Sequence, residues 1–381
     1  MPRWSQLPVF LALLILSGFL VVRVWPGLNF SPTAAGSISL ADVRAADSSV
    51  VHGSWYDLAF TQPSAATGGA RSTSALEQSL VGLMDRAQNT LDVAVYEIDL
   101  GPVADAMARA EQRGVQVRMV TDTDTLTNTR NPSTKRVLDE LRGAGVPIVD
   151  DQRRPIMHHK FAVVDGRWVE TGSWNFTFSE TYRNNNYAIL IDSPQLAANY
   201  TAEFEKMFVA HQFGPRKTRG VPFPVFDLGG GRLESYFSPE DSAGAQIIRW
   251  LGAARQDIHF LAFAFTHNGI ADAMLQRAQV GVEVSGVFEA SDALANGSQY
   301  PRLKQAGLGV ILDRNPWAMH DKLILIDGHI AILGSFNFSR NADRENDENL
   351  LIVDDPNLTG AFEAEYQRIR SQALGATVPA R

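Results

Sequence analysis

A stretch of twenty residues occurs twice in this chain, and the two copies lie 162 positions apart. The first copy, MHHKFAVVDGRWVETGSWNF, begins at Met157, and the second, MHDKLILIDGHIAILGSFNF, begins at Met319. Each copy combines an apolar run with polar residues at fixed positions, which predicts two matching halves that build one active site together. The paired polar residues are His158 and His320, Lys160 and Lys322, Asp165 and Asp327, Ser173 and Ser335, and Asn175 and Asn337.

The spacing His-x-Lys-x4-Asp-x6-Gly-Ser-x-Asn, present twice in one chain, resembles the HKD motifs that define the phospholipase D superfamily. The likeness between the halves continues outside the motifs, since Ala104–Met107 (ADAM) recurs as Ala271–Met274. It covers nearly all of the chain after about Gly53. The resemblance implies an α/β fold of two similar α/β/α sandwich halves, related by a pseudo-twofold axis, with the active site at their interface.

The pattern of apolar residues independently favours an α/β fold. Thr90–Ile98 and Val115–Thr121 are predicted strands. Val103–Arg113, between them, has helical spacing and stops before Gly114, a common helix terminator. The same alternation returns in the second half from about Leu233. It predicts layered domains in which most of each sheet is buried.

Composition divides the chain into regions. Residues 27–52 are rich in Ser, Ala and Gly, as flexible tethers are, and the Pro- and Gly-rich stretch 213–231 is typical of a linker. The predicted organisation is a signal anchor or signal peptide at 1–26, a tether at 27–52, a first phospholipase D-like half at 53–212, a linker at 213–231 and a second such half at 232–381.

The N-terminus carries an apolar segment. Trp4–Val22 has no charged residue, follows Arg3, and approaches the roughly 20 residues that span a bilayer. Arg23 and Trp25 come next, in place of a small-residue cleavage site, and this favours an uncleaved hydrophobic helix that anchors the protein. A cleaved signal peptide is the alternative. Both place the catalytic part outside the cytoplasm.

Three features bear on the compartment and the ligands. The glycosylation sequons that begin at Asn175 and Asn337 include predicted site residues, where an attached sugar would block the site. This favours a bacterial cell envelope protein, either membrane-anchored or periplasmic or secreted. The chain has no cysteine, which excludes disulfides and thiolate chemistry. Its net charge of −8 argues against a protein that mainly binds nucleic-acid phosphates.

The residue types of the repeated motif suit phosphodiester cleavage. This reaction needs a nucleophile, a proton for the leaving alkoxide, and positive groups near the phosphoryl oxygens. The resemblance implies that one motif histidine forms a phosphohistidine and that the other acts as general acid and then base. Lys160 and Lys322 would offset the phosphoryl charge, so we predict neither a cofactor nor a metal. The predicted phosphate cradle consists of Ser173, Asn175, Ser335 and Asn337.

The two halves differ beside the motif, and the difference predicts the roles of the histidines. At the offset of 162, Asn186 takes the position of Glu348. The resemblance implies that an acidic residue near this position hydrogen-bonds a motif histidine. Glu348 is therefore expected to pair with His320 and to stabilise its imidazolium, which makes His158 the nucleophile and His320 the general acid and base. The alternative is a second carboxylate that reaches His158, namely Glu97 or Glu180.

Other residues near the motifs have two interpretations each. Asp165 and Asp327 stand where a strand meets a turn, which favours hydrogen bonds to the backbone over direct catalysis. Trp317 precedes the second motif in a Pro-containing loop, and it is a candidate for the lip of a pocket that touches an acyl chain or a base. Arg153 and Arg154 precede the first motif, where they either bind a substrate phosphate or are merely solvated.

The predicted function is that of a metal-independent phosphodiesterase of phospholipase D type, which hydrolyses phospholipid headgroups. A phosphatidyltransferase of the cardiolipin synthase kind would use the same phosphohistidine with an alcohol acceptor, and an exported endonuclease of the superfamily is a third interpretation. A non-catalytic binding protein is disfavoured, because both motifs are complete. The expected partners are phospholipid and, through the N-terminal segment, a membrane. Nucleic acid is a weaker candidate, and the protein is expected to be a monomer.

Overall fold

The computed structural model describes residues 50–63, 74–127 and 130–375. The predicted anchor or signal peptide lies outside these residues, as does the predicted tether up to residue 49. The last three residues of that tether, Val50–His52, form a strand. Across the described residues, no helix combines the length and the apolar composition that crossing a bilayer requires.

The first half folds around a mixed sheet of eight strands. In chain order these are β1 (Val50–His52), β2 (Tyr56–Phe60), β3 (Thr90–Val95), β4 (Gln116–Thr121), β5 (Ile148–Asp150), β6 (Lys160–Val164), β7 (Trp168–Gly172) and β8 (Tyr187–Asp192). Across the sheet they lie in the order β1-β2-β8-β7-β6-β3-β4-β5. β3 pairs in parallel with β4, and β4 with β5, whereas the other neighbours are antiparallel. The first motif therefore contributes β6, a wholly buried strand near the middle of the sheet.

The second half repeats this sheet. Its strands are β9 (Val225–Leu228), β10 (Gly231–Ser238), β11 (Asp257–Ala262), β12 (Glu283–Phe288), β13 (Gly309–Leu312), β14 (Lys322–Ile326), β15 (Ile330–Gly334) and β16 (Glu348–Asp354). They lie in the order β9-β10-β16-β15-β14-β11-β12-β13, which is the first order with eight added to each number. The predicted α/β fold of two similar halves is confirmed. Strand β9 lies within the predicted linker and pairs with β10.

Helices connect the strands. In the first half they are Ala75–Arg86, Gly101–Gln112, Thr123–Thr127, Pro132–Gly143, Phe178–Tyr182 and Pro194–Phe208. In the second half they are Ala243–Ala253, Asn268–Gln279, Tyr300–Gln305, Arg340–Arg344 and Pro356–Ala373, and short 3-10 helices lie at Gly214–Arg216 and Asp292–Leu294. The helix predicted to start at Val103 begins at Gly101, because Pro102 in the first turn already has the backbone angle of a helix.

The two sheets share a hydrophobic core. One buried cluster contains side chains from strands of both halves, including Phe60, Tyr187 and Leu351. Phe362, on the last helix, places its ring centroid 5.6 Å from that of Phe60 and 5.0 Å from that of Tyr187. Burying one such phenylalanine stabilises the fold by about 1.5–3 kcal/mol. The interface that carries the motifs is therefore packed as a domain interior is.

A close approach between strands explains the glycine in each motif. A Cβ atom at Gly172 would lie 2.3 Å from the carbonyl oxygen of Tyr187, and one at Gly334 would lie 2.3 Å from that of Asn349. No side chain fits such a gap, so β7 and β15 can lie against β8 and β16 here only with glycine. The contact holds the serine after each glycine beside its hydrogen-bond partner on the neighbouring strand.

Candidate active site

Backbone pairing between the two halves brings the two motifs together. The N–H of His158 donates to the carbonyl of Asp347, and the N–H of His320 donates to the carbonyl of Asn185, both at 2.9 Å. Met157 forms a β-bridge with Asp347, and Met319 forms one with Asn185. Each motif strand therefore starts against the backbone of the opposite half, and the two histidines emerge at one interface.

A carboxyl group from the second half holds His158. Nδ1 of His158 lies 2.8 Å from Oε2 and 3.0 Å from Oε1 of Glu348, and both side chains are buried. Ser335 donates its hydroxyl proton to Oε2 of Glu348 at 2.6 Å. The expectation that Glu348 pairs with His320 is therefore wrong. The backbone pairing across the interface places the start of β16 beside the motif histidine of the opposite half.

Two side chains from the first half hold His320. Its Nδ1 lies 3.0 Å from Oδ1 of Asn186 and 3.0 Å from Oε2 of Glu180. The amide nitrogen of Asn186 donates to Glu180, which fixes the orientation of the amide. Glu180 thus supplies the carboxylate that the repeat lacks at Asn186. Its equivalent in the second half is Ala342, so each histidine has one carboxyl partner, but the two partners come from different positions of the repeat.

The motif serines do not have the predicted role of binding a phosphate. Ser173 donates to Oδ1 of Asn186 at 2.8 Å, and Ser335 donates to Glu348. Each hydroxyl also accepts a backbone N–H from the neighbouring strand. A serine hydroxyl has a single proton to donate. Because that proton is already engaged, both serines orient the partners of the histidines instead of contacting a substrate.

The motif asparagines remain candidates for contact with a substrate. Oδ1 of Asn175 and Oδ1 of Asn337 are buried, and neither has a hydrogen-bond partner among the described residues. Buried polar atoms in native proteins nearly always have a partner, and an exception at a site points to a group that binds there. An amide oxygen accepts hydrogen bonds, so the group missing at each Oδ1 is a donor. Only the Nδ2 groups can donate to a phosphoryl oxygen, and the place of both asparagines in the phosphate cradle stays a prediction.

Asp165 and Asp327 bind the backbone at the far end of the motif strands. Oδ1 of Asp165 accepts the N–H of Asn89, and Oδ1 of Asp327 accepts that of Gln256, each at 2.7 Å. Motif strand β6 has five residues, which span about 16 Å. That length separates Asp165 from the motif histidine. These contacts correspond to the structural interpretation of both aspartates.

The two motif lysines are buried beside the histidines. Lys160 donates to the carbonyl of His158 at 3.0 Å, and Lys322 donates to that of His320 at 2.6 Å. Burial lowers the pKa of Lys160 to about 8, and burial together with the charge of Lys160 lowers the pKa of Lys322 to about 7. Two ammonium groups that repel each other in a buried space make a favourable position for an anion.

The electrostatic surroundings of the two histidines differ. Burial lowers the pKa of His158 well below its usual range, and the charges of Lys160 and Lys322 lower it further. Burial also lowers the pKa of His320, to about 4, but the carboxylate of Glu180 opposes this shift. At His320 a neighbouring carboxylate therefore stabilises the imidazolium form. At His158 the charges that act most strongly are positive, and they destabilise that form.

The pKa values of the two carboxyl partners, Glu348 and Glu180, also differ. Burial raises the pKa of Glu348 to about 8, so that this group is largely neutral at pH 7. Burial would raise the pKa of Glu180 as well, but His320 and Lys322 more than offset it and lower the pKa to about 2. At neutral pH the carboxyl group beside His320 is ionised, whereas the one beside His158 is largely protonated.

Aromatic rings lie against both histidines, and sequence reasoning missed them. The ring of Tyr96 meets that of His158 edge-on with centroids 5.2 Å apart, and the ring of Phe263 meets that of His320 at 4.4 Å. The ammonium of Lys322 lies 4.7 Å from the centre of the Phe263 ring, within range of a cation–π interaction. The repeat contained the signal, because the offset of 167 that relates the two ADAM segments also pairs Tyr96 with Phe263.

Arg153 is not placed to bind a substrate phosphate. Its guanidinium donates to Oδ2 of Asp347 at 2.6 Å and to the carbonyl of Glu345 at 3.1 Å. The phosphate-binding interpretation is therefore wrong for Arg153, whereas Arg154 is exposed. In the described part of the chain, no three His, Asp or Glu side chains are gathered so that they could hold a metal ion.

Sulfate binding is expected to weaken as the pH rises above about 7. Lys322 has a pKa of about 7 in the free protein, so above that pH an anion binds only with uptake of a proton. This uptake costs about 1.36 kcal/mol per pH unit, or about tenfold in affinity, and the loss steepens above pH 8, where Lys160 also loses its proton. Titration calorimetry between pH 6 and 9 measures the effect, because sulfate keeps its charge throughout this range.

The Lys322→Gln variant provides the control for this titration. It should bind sulfate more weakly at pH 6, and its affinity should begin to fall only near pH 8, where Lys160 titrates. An affinity of the unmodified protein that stays constant from pH 6 to 9 would be incompatible with two buried lysines that bind the anion.

A family profile matches both halves of this chain, and curated relatives match a little over a third of it. The family profile described as "Cardiolipin synthase, PLD-like domain" matches residues 80–208 and 247–370, together well over half of the chain. The mitochondrial cardiolipin hydrolase of Xenopus tropicalis is 35% identical over 143 residues, which are 36% of this chain and 66% of that protein. A phospholipase D of Rickettsia bellii is 27% identical over 140 residues, 37% of this chain and 70% of the relative. The chain spans 62 to 66% of the length of the cardiolipin hydrolases from Chlamydomonas reinhardtii and Xenopus tropicalis.

A solved structure has the same overall fold. The phosphatidylserine synthase of Haemophilus influenzae Rd KW20 superposes with a TM-score of 0.61 at 14% identity, and the match covers 79% of this chain and 85% of that one. At this identity the likeness concerns the fold alone. The family profile, in contrast, matches each half separately, and each matched segment includes one complete motif. The chain therefore belongs to the phospholipase D-like family whose domain is described as that of cardiolipin synthase.

Proposed function

We propose that this protein is a phosphodiesterase of phospholipase D type, which hydrolyses the headgroup from a phospholipid through a phosphohistidine. The arrangement of the two motif histidines carries the proposal. The Nδ1 atom of each is held by side chains of the opposite half, which leaves each Nε2 atom to react. The charges of His320 and Lys322 act on His158, as expected for groups that surround one substrate.

In the first step, Nε2 of His158 attacks the phosphorus of the bound diester. The bond from phosphorus to the headgroup oxygen breaks, and Nε2 of His320 gives its proton to the leaving alkoxide. Lys160 and Lys322 offset the negative charge of the phosphoryl oxygens while the amides of Asn175 and Asn337 contact them. The products of this step are the free headgroup alcohol and a phosphatidyl group bonded to His158.

In the second step, water replaces the headgroup. Nε2 of His320, now neutral, takes a proton from the water as the water oxygen attacks phosphorus. The bond from phosphorus to His158 breaks, and phosphatidic acid leaves. Both histidines return to their starting protonation states, so each turnover consumes one water and one phospholipid.

The assignment of His158 as nucleophile and His320 as acid rests on their neighbours. The nucleophile must start neutral, and the general acid must start protonated. The negative charge of a bound diester raises the pKa of both histidines, and the ionised Glu180 makes His320 the better place for the proton. The roles expected from the sequence are thus kept for a different reason, since Glu180 and not Glu348 acts on His320.

Transfer to an alcohol is the second candidate. The description of the family names a synthase, and the phosphohistidine would be the same with an alcohol in place of water. The relatives named cardiolipin hydrolase favour hydrolysis and add cardiolipin to the lipids that merit testing.

The test offers the full chain phosphatidylglycerol, phosphatidylcholine, cardiolipin and single-stranded DNA side by side. We expect phosphatidic acid as the product, and none of it from the His158→Ala variant. Cardiolipin formed from phosphatidylglycerol would mean transfer. Shortened DNA with all lipids intact would refute the proposal in favour of a nuclease.

We further propose that the apolar N-terminal segment holds the protein at the membrane of a bacterial cell envelope. The first catalytic half begins with β1 at Val50 and the second with β9 at Val225, and one chain carries both motifs, so a monomer is sufficient for activity.

A further inference from the structure

An aromatic and cationic cluster lies on the His320 side of the site. Trp317 is 46% exposed and Phe178 is 38% exposed. The guanidinium of Arg183 lies 4.4 Å from the centre of the Trp317 ring and 5.2 Å from that of Phe178. Among the described residues no carboxylate forms an ion pair with Arg183, so its charge is available to an anion. These three residues are called the rim cluster below.

One amide group fixes the rim cluster from both sides. Nδ2 of Asn315 donates to the carbonyl of Arg183 at 3.0 Å, and Oδ1 of Asn315 accepts the N–H of Trp317 at 3.0 Å. The same Nδ2 also donates to Oδ1 of Asn185, whose carbonyl accepts the N–H of His320. The rim cluster is therefore tied to the backbone that positions the proposed general acid.

The rim cluster is also connected to His320 through a single short helix. Phe178–Tyr182 places Glu180 against Nδ1 of His320 at 3.0 Å, while Phe178 at its start is exposed. In an in-line displacement the leaving group departs on the side opposite to the nucleophile. With His158 as nucleophile, the headgroup leaves toward His320, which is the side of the rim cluster.

The opposite side of the repeat has no such cluster. At the offset of 162, Phe178 corresponds to Arg340, Arg183 to Glu345 and Trp317 to Pro155. Of the arginines on that side, Arg153 is paired with Asp347. Among the described residues, neither Arg154 nor Arg340 lies over an aromatic ring as Arg183 does. The two sides of a nearly symmetric site therefore differ. The rim cluster lies on the His320 side, where the proposed mechanism releases the leaving group.

We propose that the rim cluster binds the leaving group of a phospholipid whose headgroup itself carries a phosphate. This inference rests on the proposed function and names its substrate class. Arg183 binds the second phosphate, since a guanidinium forms strong charge-assisted hydrogen bonds with phosphate oxygens. Trp317 and Phe178 contact the apolar groups attached to that phosphate. Headgroups that carry a positive charge are disfavoured there.

The test compares substrates that differ only in the leaving group. Phosphatidylglycerol phosphate differs from phosphatidylglycerol by one phosphate, and in cardiolipin that phosphate is esterified to a diacylglycerol. We expect kcat/KM of the full chain to be about tenfold higher for phosphatidylglycerol phosphate than for phosphatidylglycerol, on the scale of one charge-assisted hydrogen bond. Arg183→Gln should remove this preference. Trp317→Ala should keep it but lose about fivefold on cardiolipin relative to phosphatidylglycerol phosphate, on the scale of partial burial of one large apolar side chain.

The matched control is Arg340→Gln, which removes one positive charge at the repeat equivalent of Phe178. It should leave the ratio between phosphatidylglycerol phosphate and phosphatidylglycerol unchanged, and every variant carries the same N-terminal segment. Equal ratios for the Arg183 and Arg340 variants, or no preference in the unmodified protein, would overturn the inference. The inference would also be overturned if Arg183→Gln lost activity only on single-stranded DNA, whose bases also stack on aromatic rings, and kept its activity on the lipids. An absence of turnover with all three lipids would instead count against the proposed function.

Discussion

Replacing His320 with alanine is expected to lower kcat on a phospholipid by about 10²–10⁴-fold, yet to leave the first turnover of an activated diester nearly intact. The reason is the leaving group. An alkoxide headgroup needs a proton from His320, whereas p-nitrophenolate is stable enough to leave without one. The His158→Ala variant lacks the nucleophile, so it should release p-nitrophenol no faster than a protein without the site. Rapid-mixing measurement of p-nitrophenol release from a phosphatidyl p-nitrophenyl ester separates the two cases.

The His320→Ala variant should release about one equivalent of p-nitrophenol and then stop, because no base activates water for the second step. His329→Ala is the matched control, since this histidine is half exposed and pairs with Asp354 on the surface. It should behave as the unmodified protein does. A burst in the His158 variant together with none in the His320 variant would reverse the two roles.

Glu180→Gln is expected to lower kcat on a phospholipid by about 10–10³-fold, because a carboxylate partner raises the pKa of an adjacent imidazole by about 1–3 units. Asn186→Asp in the same chain should restore much of the activity. It returns a carboxylate to the position that Glu348 has in the repeat, 3.0 Å from Nδ1 of His320. The pH dependence of kcat is the decisive measurement. The pKa of the general acid should fall in Glu180→Gln and rise again in the double variant, whereas a loss of folding would lower the rate at every pH.

Glu348→Gln is the matched control for the carboxylate exchange. Burial raises the pKa of Glu348 to about 8, so a neutral amide of the same shape changes little at pH 7. We expect a smaller loss than in Glu180→Gln, and no shift in the pKa of the general acid. If Glu348→Gln instead lost more activity than Glu180→Gln, the ionised carboxylate would belong to His158, and His158 would be the acid.

The repeat was sufficient to predict the two-part architecture and the pairing of the motifs. Its residues act locally: the apolar run after each lysine forms a buried strand, and the glycine and serine that follow allow a close approach to the next strand. These interactions lie within one half, so spacing along the chain reflects them. Strand β6, which begins at the first motif lysine, spans Lys160–Val164 and is buried throughout.

The partners of the histidines could not be predicted from the repeat. A repeat relates Glu348 to Asn186 and suggests that each serves the histidine of its own half, but backbone bonds across the interface exchange the partners. Glu180 was recognised only as an alternative partner of His158. Its contact with His320 depends on how the two halves pack, and no spacing within either half encodes that distance.

The strand in the predicted linker was missed for a local reason. Val225–Leu228 is a run of four residues between prolines and glycines, and that composition is typical of loops. Such residues are tolerated at the edge of a sheet, where one side of the strand needs no partner. β9 occupies the edge next to β10, in the same place that β1 has in the first sheet.

The most direct test of a shared site with His158 as nucleophile is to locate the covalent phosphatidyl group. The His320→Ala variant is mixed with the p-nitrophenyl ester, quenched during the burst, digested, and analysed by mass spectrometry. We expect the modification on His158 and on no other residue, in an amount equal to the p-nitrophenol released. A modification on another residue, or a burst without any modified peptide, would contradict this mechanism.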